Sequence, residues 1–308
     1  MTGPEDAAPS PSGVRDMLAS ALFFSAMSLL VKLAGERIPA VEIVLVRSVV
    51  SLVLSIHFLR RAGISWRGNR PGLLVLRGLF GLMGLVCFFR AITRLDLAEV
   101  TVLHYTNPIW TTVLAALVLG EGLRRRHGLA LACAVAGVLL VAQPPLLFGA
   151  GGAGEALPLD GVLTALAGAF FAAAAYVTVR KLGRTESPLV VVLYFPLVSV
   201  PVITPFALAG WVWPTPLEWL LLIGVGITTQ AAQVFLTRGL HRLPAGPATT
   251  IGSSQVVFAT LWGWLIFGAV PGPLVILGAL LVVAGVLVAR SGSARGSSLL
   301  PPPGEAPR

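Results

Sequence analysis

The chain has 308 residues, of which 56% are hydrophobic and 11% charged, and its mean hydropathy is +0.88. Water-soluble globules carry roughly a quarter charged residues, so this composition belongs to an integral membrane protein. The net charge of +9 comes without an aromatic-interleaved basic patch, which argues against a nucleic-acid partner; basic loops are what membrane topology itself demands.

Residues 1–13, MTGPEDAAPSPSG, are acidic and Pro/Ser-rich. They lack the positive n-region of a signal peptide and read as a disordered tail before a retained first helix. Ten apolar runs follow, each long enough for a bilayer: 14–33, 41–60, 72–93, 97–119, 127–143, 161–181, 188–209, 217–239, 244–268 and 272–289. Residues 291–308 form a second disordered tail. With the N-terminus inside, most Lys and Arg fall on one side: Arg60-Arg61, Arg124-Arg125-Arg126, Arg180-Lys181, and Arg238 with Arg242. The expected fold is therefore an all-α, multi-pass protein of the cytoplasmic (inner) membrane with both termini cytoplasmic. Trp211, Trp213, Trp219, Trp262 and Trp264 read as interfacial anchors. Cys87 and Cys133 sit alone in apolar runs, with no metal or redox spacing.

The second half repeats the first. Arg90, Arg94 and Leu95 fall on Arg238, Arg242 and Leu243, a shift of 148 residues that also carries Ala136-Gly137-Val138-Leu139 onto Ala284-Gly285-Val286-Leu287. The predicted units are 14–147 and 161–290, joined by the Gly-rich linker 148–160. Five helices per unit is an odd number, so the second copy must lie upside down. Inverted repeats of this kind let one fold open to either side of a central site, as secondary transporters do.

The stretch FFRAITRLDLAEVTVLHYTNPIWTTVLAALVLGEGL (88–123), followed by GVLLVAQP (137–144), resembles the EamA family of the drug/metabolite transporter superfamily. The resemblance rests on Ala98, Pro108 and Gly120-Glu121 and covers about residues 14–290. The second copy departs from the pattern, with Val256 and Ala269 opposite Pro108 and Glu121. The resemblance implies a gradient-driven or facilitated carrier of small organic metabolites. It also implies a cavity lined by the first, third, fourth, sixth, eighth and ninth crossings.

The polar run in VLHYTNPIW, residues 102–110, falls near the middle of the fourth crossing. At 100° per residue, Thr101, His104, Tyr105, Asn107, Pro108 and Thr112 share an arc of about 160°. The ninth crossing places Thr249, Ser253, Gln255 and Thr260 on the equivalent face. Polar groups facing lipid are expensive, so these stripes should face protein or a cavity. Interhelical hydrogen bonds, worth about 0.6–2 kcal/mol each, are the competing explanation. Pro108 removes a backbone donor and is the candidate hinge. Gln230 and Gln233 of the eighth crossing and Tyr176 of the sixth complete the candidate substrate-binding set. His104 is the candidate proton-coupling residue, with Glu99 as a second. Arg47, two turns into the second crossing, needs either a partner such as Glu99 or an anionic substrate group. Arg77 reads as snorkelling at the end of the third crossing.

No nucleotide-binding loop, HExxH, GxSxG or metal-ligand spacing occurs. The sequence thus calls for no catalytic residue, cofactor or metal. The expected function is secondary transport of a small polar metabolite, an amino acid or related compound, in the export direction, by a monomer or homodimer with protons as candidate coupling ion. Uptake or exchange of a larger nucleotide- or cofactor-like compound is the alternative within transport. A membrane-embedded enzyme or a non-transporting membrane subunit is the alternative from another class.

Overall fold

The computed structural model describes residues 10–95, 97–122, 125–143 and 158–290, without the side chains of Phe89, Ile92, Leu97, Ala98, Glu99, Thr101 and Arg290. The described residues form twelve helices: α1 (Pro11–Ala34), α2 (Ala40–Arg61), α3 (Pro71–Ile92), α4 (Leu97–His104), α5 (Asn107–Leu119), α6 (Arg125–Ala142), α7 (Leu159–Leu182), α8 (Pro188–Ala209), α9 (Pro216–Arg242), α10 (Ala245–Gly252), α11 (Gln255–Phe267) and α12 (Pro273–Arg290). With α4–α5 and α10–α11 each counted as one broken crossing, nine spans are long and apolar enough for a bilayer, and α12 is a shorter apolar tenth.

The start signals are local. Pro stands at the first turn of α1, α3, α5, α8 and α9, where its missing N–H costs nothing. Thr215 and Glu218 form a capping box on α9. Gly120 and Gly268 end α5 and α11 at φ 71° and 65°, a left-handed conformation that favours glycine.

The 148-residue shift holds in three dimensions. It carries α1, α2, α4, α5, α6 onto α7, α8, α10, α11, α12 end for end, and α3 onto the middle of the longer α9. Contacts repeat with it. Gly13 of α1 packs against Arg242 and Leu243 at the end of α9, and Gly161 of α7 packs against Arg94 and Leu95 just beyond α3.

The two repeats interlock rather than stand side by side: α1 packs on α9, α3 on α7, α2 on α8, and α6 on α12. The last pair approaches so closely that a side chain at Gly137 would stand 2.5 Å from the Gly278 carbonyl oxygen. The outward faces are apolar, as lipid requires; Val53, Leu117, Leu163, Phe206 and Leu220 are all more than half exposed. The protein is thus an all-α membrane protein built from two five-crossing repeats.

Candidate substrate site and gate

Both broken crossings break at the same repeat position. α4 stops at His104 and α5 resumes at Asn107; α10 stops at Gly252 and α11 resumes at Gln255. Each break closes through a tight i→i+3 bond, Thr106 N to Leu103 O at 3.2 Å and Ser254 N to Ile251 O at 3.1 Å. Pro108 sits in the first turn of α5, beyond its break, and the α10–α11 break has Val256 there instead. The second break therefore rests on no proline. Gly252, Ser253 and Ser254 provide it with small side chains, and the Ser253 N–H is shared among carbonyls of the preceding turn.

Most hydroxyls of the two polar stripes are spent on their own helices. Thr112 donates to Pro108 O, Thr249 to Ala245 O, Ser253 to Thr249 O and Thr260 to Val256 O. Asn107 is buried and accepts from Thr111 Oγ1 at 3.0 Å. This back-bonding bends a helix and satisfies the hydroxyl at once, and differs from the interhelical bonds that were the competing explanation for these stripes. His104 and Phe88 meet edge to face at 5.0 Å between centroids, and His104 Nδ1 is buried without a hydrogen-bond partner among the described residues. Tyr105, Tyr176 and Gln255 are half-buried. The side chains of Thr101 and Glu99 lie outside the described residues.

A polar centre forms between α2, α3, α8 and α9. Arg77 does not snorkel: it is 4% exposed and donates from Nη2 to Gln233 Oε1 at 2.9 Å. The α3 face that carries Gly81 faces α8, with Phe195 against that glycine, and brings Arg77 into the same interface. The Phe195 ring lies 5.6 Å from the Arg77 guanidinium carbon and 5.9 Å from that of Arg47. Such cation–π contacts are worth about 0.5–2 kcal/mol, well short of what a charge loses on leaving water. Gln230 donates to Ser55 Oγ at 2.8 Å, while its Oε1 is buried without a partner among the described residues. Arg77, Phe195 and the buried α2 row Ser48, Ser51 and Ser55 lie at this centre, outside the candidate set that the sequence marks. The spacing of Arg47, Ser51 and Ser55, four residues apart, is the sequence signal that marks that row.

The described carboxylates are engaged elsewhere or lie at the surface. Glu42, buried in the first turn of α2, accepts from Val212 N at 2.9 Å. Glu218 clamps Arg37 with both oxygens, and this hydrogen bond holds the Arg37 guanidinium above its ordinary pKa. Asp16 pairs with Arg242, Asp160 with Arg94, and Glu186 accepts from the backbone N–H groups of Asn69 and Arg70. Glu36 is exposed after α1. α4, the helix of Glu99, packs on α3, α6 and α7, whereas the helix of Arg47 packs on α8 and α9.

At the end of the bundle where α5 stops and α10 starts, Glu121 forms a latch. Its Oε1 accepts from Arg180 Nε at 2.8 Å and its Oε2 from Ala245 N at 2.8 Å; Arg180 also donates to the Leu240 and His241 carbonyls. Just inside, the Gly246 backbone rests on Thr112. The repeat positions at the opposite end are Ala269, Lys32 and Leu97, so that end keeps the cation without the carboxylate. There Lys32 lies over the Phe267 ring at 4.2 Å. Trp262 is not an interfacial anchor: its indole N–H points inward to Ser25 Oγ of α1 at 3.0 Å.

The EamA-like transporter family matches residues 12–143 and again 159–291, one match per repeat. The chain belongs to that family. EamA-like proteins similar to it include the pseudopaline exporter CntI of Pseudomonas aeruginosa, 33% identical over 273 residues, covering 88% of this chain and 93% of that one. Human solute carrier family 35 member G1 is 32% identical over 287 residues, covering 90% and 78%. The riboflavin transporter of Vibrio cholerae is 26% identical over 276 residues, covering 88% and 90%. A solved structure at 22% identity superposes with a TM-score of 0.80 over 93% of this chain and 99% of its own, a likeness of fold alone. An EamA-like chain with these bacterial relatives is a multi-pass membrane transporter of the inner membrane, not an enzyme.

Proposed function

We propose that this transporter exports a small polar organic metabolite, an amino acid or a compound derived from one, by alternating access around the two midplane breaks. The observation that carries the reading is an asymmetry in a symmetric fold. The half-helices α5 and α10 pack together, whereas the repeat-exchanged pair, α11 and α4, shares no comparable interface among the described residues. α10 is buried from Ala245 to Ile251, while α11 has no buried residue. One end is thus latched and the other is open. Exchanging the roles of the repeats produces the opposite state, and no further conformational principle is needed.

The latched end carries Arg180, Arg184 and Arg242, the side that charge assigns to the cytoplasm. On that reading the structure is outward-open. The breaks act as hinges, and His104, Tyr105, Asn107, Gln230, Gln233, Ser253, Gln255 and Tyr176 are the proposed site residues. The export direction is supported by the pseudopaline exporter among the relatives. Uptake of a larger, cofactor-like compound is the second reading, supported by the riboflavin transporter. Comparing the medium of cells with and without the gene, then reconstituting flux of the enriched compounds, tests the proposal. Enrichment with matching flux supports export, depletion supports uptake, and no flux of any compound refutes both.

A further inference from the structure

We infer that the substrate is an organic anion whose acidic groups are taken by Arg47 and Arg77 around the Phe195 ring; this inference rests on the transport reading above. Both arginines sit two turns inside membrane helices, on faces turned to the protein. Residues four apart from Arg47, Ile43 and Ser51, are buried, whereas Val49, Val53 and Ile56 on the far side of α2 are exposed to lipid. A guanidinium does not shed its proton, so both groups stay charged at this depth.

Neither cation has a carboxylate partner among the described residues. Arg47 has the thioether of Met27 at 3.7 Å and the Phe195 ring, and Arg77 has the neutral amide of Gln233 and the same ring. Among the described residues the Nε–H of each is buried without an acceptor, and Ser51 Oγ, one turn from Arg47, is buried without a hydrogen-bond partner. Two unneutralised cations sharing one ring are an expensive arrangement for packing alone. They become favourable when a ligand brings the negative charge, because a guanidinium fork matches carboxylate and phosphate oxygens in two-point geometry. Gln233 orients the Arg77 fork, and the Phe195 ring faces both. Asymmetry fits the role: Arg47 has Phe195 as its repeat counterpart and Arg77 has Val225, so only one half supplies charge. The same logic selects against amides and amines, which leave both cations unpaired or add repulsion. The amino-acid-derived class proposed above narrows to its acidic members or to other metabolites with two acidic groups.

The test is an untargeted mass-spectrometric profile of medium from cells expressing the wild type, Arg47→Gln, Arg77→Gln, Arg47→Lys and Arg77→Lys, with melting temperatures of the purified proteins. The expected result is that compounds enriched by the wild type carry two or more acidic groups, with the spectra separating carboxylates from phosphate esters. Either Gln variant lowers that enrichment at least tenfold without lowering the melting temperature, since removing a charge without a carboxylate partner from within the membrane span relieves the fold. The Lys variants, which keep the charge and lose the fork, fold and export less than the wild type. Enrichment of neutral or cationic compounds overturns the inference and leaves transport standing. So does anion export undiminished in both Gln variants, and so does unfolding of both Gln variants with wild-type export by both Lys variants. No enriched compound from the wild type overturns the export reading itself, and the inference falls with it.

Discussion

Arg47 and Phe195 occupy the same position in the two repeats, and they face each other within cation–π range: the guanidinium carbon lies 5.9 Å from the ring centroid. Only on the pseudo-twofold axis does a residue meet its own counterpart, so this contact marks the axis where α2 packs on α8. The backbone there is symmetric while the chemistry is not, with a cation from one repeat and an aromatic face from the other.

Phe195→Leu keeps the volume of the packing largely filled and removes the π face from both arginines. The expected outcome is a KM raised about tenfold, from cation–π contacts of about 0.5–2 kcal/mol, with protein yield unchanged. Substrate-dependent flux in proteoliposomes measures it, and an unchanged KM shows that the ring does not position the cations.

An anion leaving a cell with a negative interior runs down the electrical gradient, worth about 2.3 kcal/mol per charge per 100 mV. Export is therefore expected to be electrogenic and to need no proton. In liposomes loaded with substrate, a valinomycin-imposed, inside-negative potential should accelerate efflux, and His104→Gln should leave the acceleration intact. Efflux indifferent to potential but driven by a pH gradient restores His104 as the coupling residue.

The Glu121 latch joins three elements through half-buried, charge-assisted hydrogen bonds, typically worth about 1.5–3 kcal/mol each, and the other end has Ala269 in its place. Glu121→Ala should shift the balance toward the opposite state by tenfold or more. Cysteine labelling at Ala248, buried in the latched state, should rise by a similar factor. Labelling as slow as in the intact latch contradicts this role.

Pro108→Ala should leave flux within about threefold of wild type, because the α10–α11 break forms with Val256 at that position. A Pro-to-Ala change at a helix start typically alters stability by about 1 kcal/mol or less. A loss of flux with the fold intact shows that the proline sets hinge motion even though it does not set the break.

The crossings were legible because a bilayer imposes both length and hydropathy, and the predicted spans fall within three residues of the helices. The repeat was legible through its constant shift, which the helix ends reproduce. The interruption at residues 105 and 106 showed as the polar run HYTN, yet its cause did not: Pro108 drew attention, while Gly252-Ser253-Ser254 makes the same break without it. Hydroxyl partners were illegible, since Thr112 and Thr249 reach carbonyls of their own helix as readily as a neighbour's. The depth of Arg77 was readable only in part. Gly81 and Gly84 lie on its face of α3, a sign of close packing, but nothing in the pattern says that Phe195 and Gln233 wait on the helices opposite.

Two cysteine pairs test alternating access most directly. Thr112→Cys with Gly246→Cys bridges the latched end, where a side chain built on Gly246 stands 3.4 Å from Thr112 Cβ, a separation close to that of a disulfide. Thr260→Cys with Ala98→Cys is its repeat-exchanged counterpart at the open end. The first pair should cross-link in the substrate-free protein, block flux, and release it on reduction. The second should cross-link only during turnover or when Glu121 is replaced. Cross-linking of both pairs in one resting population, or full flux through the cross-linked first pair, would contradict the account.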